Sequence, residues 1–111
     1  MKLSNGDKAI VELAKLTEYC LDPSHPRGRH KARVFASSLG LEQQDAPVLR
    51  VALLEAAETS DDAREGPIDG FGKRYVLDFA MRGPKGSAVV RSAWIIRNGE
   101  DFPRFTSYYV L

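Results

Sequence analysis

Arg74-Tyr75-Val76-Leu77-Asp78-Phe79-Ala80, then Arg82-Gly83-Pro84-Lys85-Gly86, then Ser87-Ala88-Val89-Val90-Arg91-Ser92-Ala93-Trp94-Ile95-Ile96 is the run that decides the fold. Its two ends are rich in β-branched and aromatic residues, and its middle is turn material, so it predicts a β-hairpin. Asn98-Gly99 marks the next turn, and Phe105 to Leu111 predicts a third strand. Alternation along the middle strand puts Val90, Ser92, Trp94 and Ile96 on one face and Val89, Arg91, Ala93 and Ile95 on the other. Neither face is simply polar, so helices must cover at least one. The same alternation on the last strand groups Arg104, Thr106 and Tyr108 against Phe105, Ser107 and Tyr109.

Upstream of the hairpin the period changes. Ala32, Phe35, Ala36 and Leu39 recur at helical spacing, predicting a helix over 29–39 that Gly40 stops. Asp45 as N-cap, Pro47 in the first turn, and Leu49, Ala52, Leu53 and Ala56 on one face predict a second helix ending near Glu58. A shorter helix is expected around Asp7 to Lys15, followed by a partly extended stretch to Leu21. Pro23 and Pro26 bias their predecessors away from helix, so residues 22–28 form a loop. Thr59 to Gly72, acidic and glycine-rich without a period, is expected to be a connection with no element of its own. The result is a single α+β domain over 1–111, N-terminal helices packed on a C-terminal antiparallel β-meander.

A chain of 111 residues buries about two-thirds of the surface its unfolded form exposes, enough for one core. The formal charge of +1 lacks the basic excess of a typical nucleic-acid-binding domain, so contact with a polyanion has to come from local clustering. Clustering exists: four Lys or Arg fall between Arg27 and Arg33, together with His30, whereas five Asp or Glu fall between Glu55 and Glu65. The lone Cys20 forms no internal disulfide and reads as a buried small hydrophobe. No run of about 18 apolar residues and no hydrophobic leader occur, so a cytoplasmic domain with no membrane partner is expected.

The chemistry concentrates in His25-Pro26-Arg27-Gly28-Arg29-His30-Lys31. Backbone amides at a helix start, a flexible Gly28 and several cations within one short span favour an anion such as phosphate or carboxylate. Both histidines lie here, and imidazole is the side chain suited to proton transfer near neutral pH. Neither has Asp, Glu or Cys at ligand spacing, so no metal site is expected. Arg91 interrupts an apolar strand and must face solvent or pair inside a cleft. The hydroxyls of Thr106 to Tyr109 can donate to a phosphate.

These stretches carry a resemblance. Lys15 to Pro23, His25 to Phe35, Gly72 to Tyr75, Val89 to Ile95 and Pro103 to Val110 together resemble the bacterial domain-of-unknown-function family 6883 over Lys15 to Leu111. Its members look like C-terminal modules of large secreted polymorphic toxins. The element order is similar to the barnase/EndoU/colicin/RelE group of metal-independent ribonucleases, a fold-level analogy. What the resemblance implies is RNA cleavage by 2′-hydroxyl transesterification, with no metal and no cofactor. By position, His25 is then the acid or base, Lys31 and Arg91 hold phosphate, and Thr106 donates a hydroxyl; Arg27, Arg29, His30, Arg74 and Tyr108 complete the binding set. The site requires His25, Lys31, Arg91 and Thr106 to converge in one cleft.

Two other functions fit the same residues. In one, the domain is a non-catalytic interaction module of a toxin/antitoxin-type pair, an antitoxin or immunity protein whose basic loop grips an acidic protein. In the other it acts on a small molecule, for which the sequence names no substrate.

Overall fold

The computed structural model describes residues 1–111. Helices come first: a turn at Gly6–Lys8, a short α1 (Leu13–Lys15) that widens into a π-type turn over Leu16–Cys20, then α2 (Arg29–Leu39) and α3 (Ala46–Thr59). Four strands follow, β1 (Arg64–Asp69), β2 (Gly72–Gly83), β3 (Gly86–Arg97) and β4 (Arg104–Val110), antiparallel in the order β1-β2-β3-β4. α2 closes at Gly40, whose φ of 74° suits glycine, and the β3–β4 turn places Gly99 at φ 83°. α3 has Pro47 in its first turn; Asp45 accepts the backbone N–H of Glu42 at 2.9 Å rather than an amide within α3.

β1 is the element the sequence reading leaves out. It spans Pro67, pairs with β2 through a register shift between Glu65 and Ile68, and is largely exposed, so hydrophobic alternation has nothing to mark there. Ile10 forms a parallel bridge to Arg104 at the opposite edge of the sheet.

One face of the sheet carries the core. Tyr75, Leu77, Val90, Trp94, Phe105 and Tyr108 pack against Leu16, Phe35, Leu39, Leu49 and Leu53 from the helices. Ser92 is fully buried here: its hydroxyl donates to the Leu77 carbonyl at 2.7 Å and accepts the Trp94 indole N–H at 2.9 Å, so both buried groups are satisfied. The faces of β3 are those that alternation predicts. On β4 they are not. Phe105 stands opposite Trp94 but Ser107 opposite Ala93, which leaves Thr106 as an extra residue in a bulge. Phe105 and Tyr108, three apart, therefore both point into the core.

Candidate functional site

The loop before α2 is organised by His25. Its Nδ1 accepts the backbone N–H groups of Arg27 and Gly28, each at 3.0 Å, its carbonyl accepts that of Arg29 at 2.9 Å, and its ring packs against Tyr19 with centroids 4.6 Å apart. With Nδ1 an acceptor, the neutral ring carries its proton on Nε2. Two of the amides expected to greet an anion are thus already taken, so an anion here would have to be met by side chains. Gly28 is not a flexible joint: it is buried at φ −87°, and a β-carbon there would lie 1.8 Å from the Tyr19 carbonyl oxygen. Close approach of the loop to the helical turn before it is what requires glycine.

Lys31 leaves the first turns of α2 toward the edge of the sheet. Its Nζ donates to Ser107 Oγ at 2.5 Å, in a half-buried position. Lys15 Nζ reaches the same strand, donating to the Phe105 carbonyl at 3.4 Å. The bulge brings this about, since an extra residue re-aims the side chains on either side of it. Thr106, the extra residue, turns its hydroxyl onto the Ala93 carbonyl at 3.0 Å. No carboxylate lies within ion-pair distance of Lys15, Lys31, Arg27, Arg29 or Arg33, because every ion pair in the molecule belongs to Arg64, Arg74, Arg91 or Arg104.

Those four arginines occupy the other side of the sheet. Arg91 stands opposite Asp78 on β2 and Tyr109 on β4. Its guanidinium grips the Asp78 carboxylate with two bonds of 2.8 Å and donates to the Tyr109 hydroxyl at 3.4 Å, while Arg64 reaches the same carboxylate at 3.0 Å. The Arg91 hydrogen bonds hold the Asp78 carboxyl below the ordinary carboxylate range. Arg74 pairs with Asp69 at 2.6 Å, and Arg104 grips Glu100 with two bonds of 2.9 Å.

The expected constellation therefore divides. Lys31 and His25 share the start of α2, and Thr106 adjoins Ser107, the residue Lys31 reaches. Arg91 does not join them: its neighbours Val90 and Ser92 point into the helix-covered core, so it projects from the open face, already committed to Asp78. Tyr108 is not a surface hydroxyl. It is buried, its ring meets Phe35 edge-on at 5.3 Å, and its OH donates to the Cys20 carbonyl at 3.3 Å. Burial likewise pushes the Cys20 thiol up to about 11, which keeps it neutral. Arg27, Arg29 and His30 remain exposed at the helix start, and Arg74 is engaged by Asp69. Lys15 and Asp78 make contacts here that the sequence reading did not assign, and Ser107 and Tyr109, there only members of a hydroxyl row, acquire Lys31 and Arg91 as partners.

No group of three His, Cys, Asp or Glu side chains is placed to hold a metal ion, and no helix is long and apolar enough to cross a membrane. The architecture, helices on one face of a four-stranded meander and an open face crossed by arginine–carboxylate pairs on the other, is that of an α+β domain class also found among solved structures. It matches a chain of the contact-dependent growth inhibition toxin–immunity protein complex from Klebsiella pneumoniae 342, with a TM-score of 0.71 at 15% identity, over 92% of this chain and 99% of that one. The likeness is one of fold. No curated protein matches the sequence. The chain belongs to the family described as Domain of unknown function (DUF6883), which matches residues 2–111 and so takes in the N-terminal turn as well as the stretches quoted above.

Proposed function

We propose that this domain is a toxin-like module that cleaves RNA by transesterification, holding the scissile phosphodiester where Lys31 meets Ser107. The observation that carries this reading is the partner of Lys31: a half-buried ammonium aimed at a hydroxyl, with Lys15 beside the same strand and no carboxylate neutralising either. A phosphate supplies the missing negative charge. In the reaction a base takes the ribose 2′-proton, O2′ bonds to phosphorus, the P–O5′ bond breaks, and the departing 5′-oxygen takes a proton. Lys31 and Lys15 stabilise the extra charge of the phosphorane, and the Ser107 hydroxyl donates to its oxygens, whereas Thr106 can do so only by releasing the Ala93 carbonyl. His25, six residues before Lys31 in the loop that leads into α2, offers Nε2–H to the leaving oxygen. Arg91 acts from the open face and takes a phosphate only by loosening Asp78. Neither metal nor cofactor is needed for this chemistry.

Induced expression of the full chain in bacteria, with RNA analysed by gel and the purified protein assayed on RNA in EDTA, tests the proposal. The wild type should arrest growth and leave 2′,3′-cyclic phosphate ends, and Lys31→Ala should lower cleavage by about a hundredfold while remaining folded. Intact RNA and unimpaired growth with the wild type overturn it.

A second reading rests on the fold match to a chain from a toxin–immunity complex: the same unpaired cations fit an acidic protein surface, and the domain is then the binding member of such a pair. Tight association with an acidic cognate protein, together with intact RNA, selects this reading over the first.

A further inference from the structure

We infer that the groove on the far side of α2 from Lys31 is a nucleobase subsite selective for guanine; this rests on the RNA reading and adds the base that the domain selects. The groove has a volume of about 360 Å³, enough for a nucleotide. Arg29 and Arg33, one turn apart on α2, line it on one side, and Glu42, Gln43 and Gln44 line it on the other. Between them lies apolar surface from Leu21, Ala32 and Ala36.

The charges are what identify the occupant. Arg29 and Arg33 share the groove with Glu42, yet neither comes within ion-pair distance of its carboxylate. Opposite charges are held apart across an open gap. The acidic wall is fixed within its own turn: the Glu42 carboxylate accepts the Asp45 backbone N–H as part of a capping box and Gln44 Nε2 at 3.4 Å, and Gln43 is tied through its Nε2 to the Thr17 carbonyl at 2.5 Å. Moving the Glu42 carboxylate onto the arginines would give up those bonds. The Gln43 amide nitrogen is engaged and its oxygen is left as an acceptor, and the Glu42 carboxylate keeps lone pairs beyond the two bonds it accepts, so this wall offers acceptors and the α2 wall offers donors.

A flat group that joins the two walls needs adjacent donors on one edge and adjacent acceptors on another. Guanine has both: N1–H and the N2 amino group address a carboxylate in pairs, while O6 and N7 take an arginine bidentately. Adenine, cytosine and uracil each lack one of these paired edges. The small side chains Ala32 and Ala36 leave room for the ring to lie on the helix. From there a strand can pass around the start of α2 to reach Lys31.

Titration of the ¹⁵N-labelled full chain with each of the four nucleoside 5′-monophosphates, and with the oligoribonucleotides UUGUU and UUUUU, tests the inference. Guanosine monophosphate should shift amides of Leu21, Ala32, Arg33 and Gln43 and bind at least about tenfold more tightly than the other three; UUGUU should show the same preference over UUUUU, which separates a base within RNA from a free nucleotide. Glu42→Gln, which preserves size but removes the second acceptor, should reduce the preference to less than about threefold with the spectrum otherwise unchanged. Equal affinity for all four nucleotides, or shifts confined to other residues, overturns the subsite even where the wild type cleaves RNA. A guanine-specific response in the groove from a protein that leaves RNA intact upholds the subsite and removes the ribonuclease reading instead.

Discussion

The open face of the sheet and the flank of α2 are both rich in cations, but they use them differently. On the open face Arg64, Arg74, Arg91 and Arg104 each hold a carboxylate, and the Asp78, Asp69 and Glu100 carboxyls all sit below their ordinary range because an arginine donates to each. On the α2 flank Lys15 and Lys31 donate to a carbonyl and a hydroxyl, and Arg27, Arg29 and Arg33 pair with nothing. The number of charges alone therefore says little about where an anion binds. The useful quantity is how many of them lack an internal partner, and by that measure a chain of formal charge +1 carries a concentration of unpaired cations around the start of α2.

The sharpest way to break this contrast is to remove the flank's two half-buried cations together. Lys15→Ala/Lys31→Ala should weaken RNA binding by at least about tenfold and lower the slope of affinity against salt by about 1.4, two phosphate contacts on a single strand. Thermal unfolding should shift by no more than a few degrees, and fluorescence anisotropy from 50 to 200 mM salt, values set by the assay, reads the slope. An equal loss on Arg64→Ala/Arg91→Ala would erase the distinction between the regions.

Asp78→Asn works from the other side, turning a neutralised face into one with two unpartnered arginines. It should destabilise the fold by about 1 kcal/mol, a modest figure because the pair is partly solvated, and it should raise RNA binding at the open face. The folded Asp78 carboxyl titrates below its unfolded value, so its contribution is present above about pH 4 and is lost as pH falls further. Urea unfolding between pH 7 and pH 3, a range chosen to span that loss, should accordingly fall less steeply in Asp78→Asn than in the wild type.

The smallest effect separates structure from chemistry within the flank itself. His25→Ala removes the acceptor for two backbone N–H groups and should lower stability by about 1 kcal/mol. His25→Asn, which keeps a side-chain acceptor, should restore most of this in the same unfolding assay. If His25 also transfers a proton, His25→Asn remains slow on RNA despite its restored stability.

Much of the fold is legible in the sequence because hydrophobic period and turn chemistry agree there: Gly40 stops α2, Pro47 starts α3, and the alternation of β3 separates Trp94 from Arg91. β1 escapes because an exposed, proline-containing edge strand has no apolar face to show. The partner of Arg91 was recoverable in principle. Once Gly83 is paired with Gly86 across the two-residue turn, counting back along both strands sets Asp78 opposite Arg91. The broader assignment of Arg82 to Gly86 as turn leaves that register open. The candidate site is legible only as a cluster of charge. That Lys31 ends on Ser107, and that Tyr108 lies inside rather than on the surface, both depend on one residue of slippage in β4, which composition and alternation do not encode.

That slippage also bears on how such a site arises. A strand with strict alternation would need a single residue between Phe105 and Tyr108 to point both into the core, and β4 has two. Deleting Thr106, the extra residue, would leave a strictly alternating strand with Ser107 alone between Phe105 and Tyr108, both of which would still face inward. One extra residue thus changes how the edge strand presents its hydroxyls to Lys31 while the aromatic side of the core is kept.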